Sequence, residues 1–179
     1  VSDIVLGGAD AGNYVLASTT ASGRGIITQR PLSTWVGAAG GNWSNAANWD
    51  ALPDGQNVAA VRIPAGAGTV SMDVAGVRIG SLQSARPLVQ TATGGFTTSA
   101  LLLETAGGAA LGGANQIGAF SAVNTGSGDI ALTNSGVLLL GVLSNTAGSS
   151  GLANTGAVIS SSQIVASGSV QIRAFSPLT

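Results

Sequence analysis

The chain has 179 residues and a net charge of −1, with charged residues at only 7% of positions and hydrophobic residues at 45%. Its six arginines are scattered and it has no lysine, which excludes a nucleic-acid binder, because phosphate binding needs clustered cations. It has neither cysteine nor histidine, which excludes disulfide frameworks, thiolate metal sites and the usual nucleophile–base pairs of catalysis.

Short apolar or alternating runs bounded by Gly, Asn, Ser or Pro predict β-strands along most of the chain, and no stretch carries a helical apolar stripe. In chain order these runs are Ile4–Leu6, Tyr14–Ala17, Gly25–Thr28, Val58–Ile63, Thr69–Val74, Val77–Leu82, Ala100–Leu103, Ile117–Val123, Asp129–Thr133, Val137–Leu143, Gln163–Ala166 and Ser169–Arg173. The sequence therefore predicts an all-β protein. No apolar run is long enough to insert this segment into a membrane.

A weak repeat near the C-terminus indicates how these strands are arranged. Asn115, Asn134 and Asn154 each open a unit of an apolar run, a small-residue turn and a second strand. A period near 20 residues is typical of one coil of a solenoid, with Val, Leu and Ile facing inward. We predict a right-handed parallel β-helix of about six coils over residues 58–179, with Gly and Asn at positive-φ corners.

The N-terminal segment, residues 1–31, resembles the end of the MBG/YDG repeats found in large bacterial adhesins. The run Gly8–Leu16, Gly-Ala-Asp-Ala-Gly-Asn-Tyr-Val-Leu, matches the closing pattern of those repeats, and Gly25–Thr28 followed by Pro31 is a looser version of their final strand. The resemblance implies that residues 1–31 are the C-terminal strands of such a repeat.

The segment Trp35–Asp54 resembles the element that begins the coils of β-helical passengers in autotransporters and two-partner-secretion exoproteins. Later runs, from Gly113–Gly118 to Leu140–Leu143, resemble the rungs of filamentous-haemagglutinin-like proteins. Together these resemblances imply a fragment of a secreted or surface-displayed bacterial adhesin. The parent protein would then pass through an outer-membrane transporter and contact glycans or proteins of host or neighbouring cells.

All three tryptophans, Trp35, Trp43 and Trp49, lie within one short segment. Two interpretations are open. The cluster is either an N-terminal cap over residues 32–57 that covers the first rung, or an aromatic platform that stacks on sugar rings. We favour the cap, and we expect each buried indole N–H to have a hydrogen-bond partner.

Ionisable groups are too sparse to predict a catalytic centre. A glycosidase needs two carboxylates facing each other, but the acids are spread along the chain, and we interpret them as turn caps and surface charges. These acids include Asp50, Asp54, Asp73, Glu104 and Asp129. A β-helical polysaccharide lyase or hydrolase, with Arg78 or Arg86 as its base, is a distant alternative. The sequence predicts no catalytic residue, cofactor or metal ligand.

The sequon Asn42-Trp43-Ser44 is a nominal glycosylation site, and we interpret Asn42 as structural. The leading hypothesis is a non-enzymatic stalk segment of an adhesin. The main alternative is a carbohydrate-binding module that uses the tryptophan cluster.

Overall fold

The computed structural model describes residues 3–9, 11–13, 15–20, 22, 28–160 and 162–175. In this part of the chain the structure is all-β, as predicted. The strands are β1 (Arg30–Thr34), β2 (Gly41–Asn42), β3 (Val58–Ile63), β4 (Val70–Met72), β5 (Val77–Ser84), β6 (Leu88–Gln90), β7 (Phe96–Thr105), β8 (Ala109–Leu111), β9 (Gln116–Asn124), β10 (Ile130–Asn134), β11 (Leu138–Asn145), β12 (Ser150–Asn154), β13 (Val158–Ser160), β14 (Ile164–Ala166) and β15 (Val170–Ala174). Short 3-10 helices lie at Ala11–Asn13 and Ala46–Asn48, and none of the helices in the described residues is long and apolar enough to span a membrane.

The strands are divided between two sheets in which every strand pair is parallel. One sheet, here the long-strand sheet, has the order β1-β3-β5-β7-β9-β11-β13, with β14 also paired to β11. The short-strand sheet has the order β2-β4-β6-β8-β10-β12-β15. Because the chain alternates between the two sheets, each pair of successive strands is one coil. The predicted β-solenoid is confirmed, and the handedness of its coil stays a prediction that rests on the right-handed preference of parallel crossovers.

The core is built from columns of side chains that stack from coil to coil. Successive partners in the long-strand sheet place five large apolar side chains in one column, and all five are buried. This column consists of Val61, Leu82, Leu101, Phe120 and Leu140. A single coil has no second apolar layer to cover such side chains, whereas a stack covers each with the next.

The long strands bend near their middle. In β7 the alternation of buried and exposed side chains is interrupted at Ser99 and Ala100, which are both exposed. The same interruption occurs at Gly80 and Ser81 in β5. Since side chains of a straight strand alternate strictly, two successive outward residues mark a change of direction. The two halves of each long strand therefore contribute separate walls to the core.

The stack begins at Arg30, which differs from the predicted boundaries. Strand β1 pairs with β3, and β2 pairs with β4, so the tryptophan segment predicted as a separate cap over residues 32–57 is part of the first coil. From Val58 onward the described strands form six further coils. Pro31 is tolerated in β1 because an edge strand has one side free of ladder hydrogen bonds.

The described residues before Arg30 contain no strand. The run predicted as a strand at Ile4–Leu6 is instead irregular, and the amide of Ile4 donates to the carbonyl of Thr19 at 3.1 Å. Tyr14 and most of Gly25–Thr28 lie outside the described residues, so the MBG/YDG-like assignment of 1–31 stays a prediction.

Asparagine does not form the corners in the way the sequence predicted. In the described residues the positive-φ positions are glycines, such as Gly108 and Gly136, and a single non-glycine, Asp3. The repeated asparagines have another role. They point into the solenoid, where their amide groups are buried and hydrogen-bonded.

Candidate functional site

The tryptophan cluster lies at the N-terminal end of the core. Trp35 follows β1, Trp43 follows β2, and Trp49 follows the 3-10 helix Ala46–Asn48, whose N-cap Asn45 accepts from the amide of Ala47. Trp35 and Trp49 meet edge to face with ring centroids 5.0 Å apart, and Trp43 and Trp49 are tilted at 4.6 Å. The cluster is therefore a single packed aromatic unit.

All three indoles are buried, with exposed fractions of 2%, 0% and 5% for Trp35, Trp43 and Trp49. Each ring N–H donates to a backbone carbonyl: Trp35 to Gly37 at 3.0 Å, Trp43 to Pro53 at 2.9 Å, and Trp49 to that of Trp43 at 2.8 Å. A sugar ring stacks only on an accessible indole face. This packing leaves the three indoles without such a face.

Near the N-terminal end of the solenoid, Arg86 is buried, which the sequence did not predict. Its guanidinium is buried and donates to four backbone carbonyls, and no carboxylate pairs with it among the described residues. The acceptors are Pro64 at 3.0 Å, Ala39 at 2.8 Å, Ala67 at 3.0 Å and Gly37 at 3.1 Å. Gly66 lies so close that a Cβ there would collide with the guanidinium. Arg86 thus holds together the loops of the first two coils.

The two arginines considered as possible bases lie in different surroundings. The donors of Arg86 are occupied by carbonyls inside the protein, which gives it a structural role. Arg78 is exposed and lines a shallow groove of about 500 Å³ together with Gln29, Gln56 and Thr97. Two amides, three hydroxyls and one cation line the groove, and no carboxylate is among its described lining residues.

The acids are dispersed. Among the described residues, no three or more His, Cys, Asp or Glu side chains lie together in a group that could hold a metal ion. Asp50 pairs with Arg30 at 3.0 Å and accepts from the amide of Thr34 at 2.8 Å. Asp54 begins a turn in which its amide donates to the side chain of Asn57 at 2.9 Å. These contacts fit the predicted roles of turn cap and surface charge.

Three further acids of the described coils, Asp73, Glu104 and Asp129, are also single and hydrogen-bonded. Glu104 accepts from Gln83 at 3.3 Å, and Asp129 accepts from the amide of Ser149 at 2.8 Å. Asp73 accepts from both the amide and the hydroxyl of Ser44, at 2.9 and 2.6 Å. That second bond engages the serine of the Asn42 sequon. Asn42 itself is exposed in β2, and its carbonyl accepts from the side chain of Asn48 at 3.1 Å.

Two carboxyl groups have lowered pKa values. For Asp50 the main cause is the hydrogen bond from the Thr34 amide, which lowers the pKa. Desolvation is the second-largest influence and raises it, and Arg30 and Ser33 lower it further. For Asp73 desolvation is the largest single influence and raises the pKa, but the hydrogen bonds from Ser44 and neighbouring amides outweigh it. In both cases the folded state favours the charged carboxylate over the acid.

The stability of the fold is therefore expected to fall in acid. A lowered folded pKa contributes stability that is complete above the ordinary value of 3.8 and is lost as the pH falls through the folded value. The urea midpoint should stay level between about pH 5 and 8, because the chain has no histidine, and should decrease below about pH 4. The Asp50→Asn, Asp73→Asn variant should show a smaller decrease, and an unchanged acid profile would contradict this assignment.

Two ladders of buried asparagines run through the later coils. In one, Asn134 donates to the side chain of Asn154 at 3.0 Å, and its own oxygen accepts from the amide of Ile117 at 2.7 Å. In the other, Asn124 donates to Asn145 at 3.0 Å. The predicted corner role of the asparagines did not include these ladders. The available signal was the recurrence of Asn near the coil period, at the positions that end strands β9 to β12.

Breaking an asparagine ladder should lower the stability of the fold. Asn134→Ala removes three hydrogen bonds and leaves the amide of Ile117 and the oxygen of Asn154 buried without their partner. We expect the free energy of unfolding to fall by about 2–3 kcal/mol. Gln171→Ala, which removes an exposed amide from β15, is the control and should change it by less than about 0.5 kcal/mol. Equal effects of the two substitutions in urea unfolding would show that the ladder adds no stability.

Comparison with known proteins identifies no relative of this chain: no family model, no curated protein and no solved structure matches it. The sequence resemblances to adhesin repeats and filamentous-haemagglutinin rungs therefore stay predictions.

Proposed function

We propose that this chain is a structural stalk segment of a secreted or surface-displayed bacterial adhesin, which holds a distant binding region away from the cell. The stalk role is supported by one observation: the unbroken core column from Val61 to Leu140 joins successive coils into one rod. With coils about 4.8 Å apart, six steps between seven strands give a length near 30 Å. The sequence resemblances support surface display and secretion through an outer-membrane transporter.

Several features favour a passive role over a binding module. The tryptophans that would serve as a sugar platform are buried and hydrogen-bonded to the backbone. The acids are held singly by amides and hydroxyls at separate places in the described coils. The buried polar side chains of the ladders stabilise the stack, which suits a rod that bears load along its axis.

Two measurements test this proposal. Antibodies against the chain should label intact cells of the source bacterium, and labelling only after the outer membrane is opened would contradict surface display.

The isolated chain should show blue-shifted tryptophan emission that does not change with added glycans, because all three tryptophans lie in the buried cluster. Glycan binding with a shift of that emission would instead support the carbohydrate-binding alternative.

A further inference from the structure

The outer face of the long-strand sheet becomes more apolar toward the C-terminal end of the stack. One column of outward side chains passes through five successive coils, from small residues to large aliphatic ones. In order, this column is Ser81, Ala100, Ala119, Leu139 and Ile159. Leu139 and Ile159 are direct partners, and 51% and 53% of their surfaces are exposed. Two large aliphatic side chains therefore stand next to each other in water.

Neighbouring columns enlarge this surface. A β-bulge places Gly141 and Val142 opposite the single residue Ser121, and Val142 is exposed. In the next column, Val165 occupies the position that Glu104 holds three coils earlier. We define the aliphatic patch as the exposed aliphatic residues of β11, β13 and β14, together with the residue just before β11. These are Val137, Leu139, Val142, Ile159 and Val165, which are 44–59% exposed.

The patch lies in a part of the chain without charge. Between Ile130 and Ile172 the sequence has no ionisable side chain, whereas earlier coils of the same sheet carry Arg62, Arg78 and Glu104. Contiguous exposed aliphatic side chains mark interaction surfaces in soluble proteins. A partner that covers this patch removes apolar area from water without having to desolvate a charge on this side.

We propose that the aliphatic patch is an interface at which a second copy of this chain packs side by side, sheet against sheet. A fitting partner must present aliphatic side chains at strand spacing and must carry no charge that would be buried unpaired. The patch itself meets both conditions. A two-fold pairing brings the same surface from each copy into contact, and sheets pack face to face at about 10 Å. This goes beyond the stalk function, because it joins two solenoids laterally.

The terminal coil is a separate apolar surface that any test must distinguish. Val170 and Ile172 of β15 continue the inward columns of Ser150 and Leu152 in the short-strand sheet, yet 44% and 38% of their surfaces are exposed. Association through these residues would join copies end to end. Association through the aliphatic patch joins them along their sides.

Single-cysteine variants separate these arrangements, because the chain contains no other cysteine. Leu139→Cys lies in the patch, Leu102→Cys lies on the same outer face among polar neighbours, and Ile172→Cys lies at the terminal coil. With a short bis-maleimide at micromolar protein, Leu139→Cys should form covalent dimers about a hundredfold faster than Leu102→Cys. Fastest cross-linking of Ile172→Cys would overturn the proposal in favour of end-to-end contact.

Sedimentation equilibrium gives an independent measure without cross-linking. The Leu139→Gln, Ile159→Gln variant should raise the dimer dissociation constant by about tenfold or more, and Leu102→Gln should leave it unchanged. Circular dichroism and the thermal midpoint of each variant serve as folding controls. A chain that stays monomeric up to about 100 μM would refute the interface. So would a monomer that co-sediments with phosphatidylcholine vesicles and loses this binding in the double variant.

Discussion

Replacing Arg86 with methionine is expected to lower the free energy of unfolding by about 3–5 kcal/mol. Methionine retains much of the length and apolar volume of the side chain but has no donor. The four carbonyls that the guanidinium now satisfies, from Gly37 to Ala67, would lose their charged partner, and among the described residues only that of Gly37 would keep another side-chain donor, the indole of Trp35. Hydrogen bonds to charged groups are among the stronger ones, and partly buried acceptors without donors carry part of a desolvation cost.

The effect of Arg86→Met should reach beyond its own coil. The carbonyls come from the loop between β1 and β2 and the loop between β3 and β4, so the guanidinium links the first coil to the second. Arg86→Lys should be intermediate, because an ammonium has three donors on one atom and lacks the planar fork that reaches separate carbonyls.

Urea unfolding with Arg78→Met as the matched control tests this prediction. Arg78 is exposed in β5, the strand that precedes Arg86. Its replacement should change the free energy of unfolding by less than about 0.5 kcal/mol. A lower midpoint with an unchanged slope would identify a pure loss of stability. If Arg86→Met and Arg78→Met unfold at the same urea concentration, the four hydrogen bonds do not stabilise the fold.

Trp43→Ala is expected to destabilise the protein by a similar amount, about 3–5 kcal/mol. The indole of Trp43 is fully buried, packs on Trp49 and donates to Pro53. Its removal would leave a large cavity and an unpaired carbonyl beneath the edge of the solenoid. Because the coils depend on their neighbours, loss of the first coil would also expose the apolar residues of the second, such as Val70.

A milder substitution distinguishes the contribution of ring packing from that of the hydrogen bond. Trp43→Phe keeps an aromatic side chain against Trp49 and removes the N–H that Pro53 accepts, so we expect a loss of about 1–2 kcal/mol. Thermal unfolding by far-ultraviolet circular dichroism and by emission of the remaining tryptophans would measure both variants. A Trp43→Ala protein as stable as the wild type would show that the cluster is not part of the solenoid core.

Much of the architecture was predictable from local pattern. The run Val58–Ile63 is a strand with the predicted bounds, and Val77–Leu82 and Ile117–Val123 lie within longer strands. Short strands such as β6 and β8 were missed. Their three residues carry too little pattern to stand out, and it is the ladder with neighbouring coils that holds them.

By itself, the sequence determined the class of fold, because a strand–turn rhythm with a period near 20 and few charges favours stacked coils over a globular core. It also located the tryptophan cluster. Only the tertiary structure decided that Trp43 is buried, that Asn124 and Asn134 point inward, and that Arg86 binds carbonyls up to 49 residues away. The physical reason is register: which side chains share a column depends on how coils about 20 residues long align. A slip of one residue would turn Asn124 and Asn134 to the opposite face of their strands.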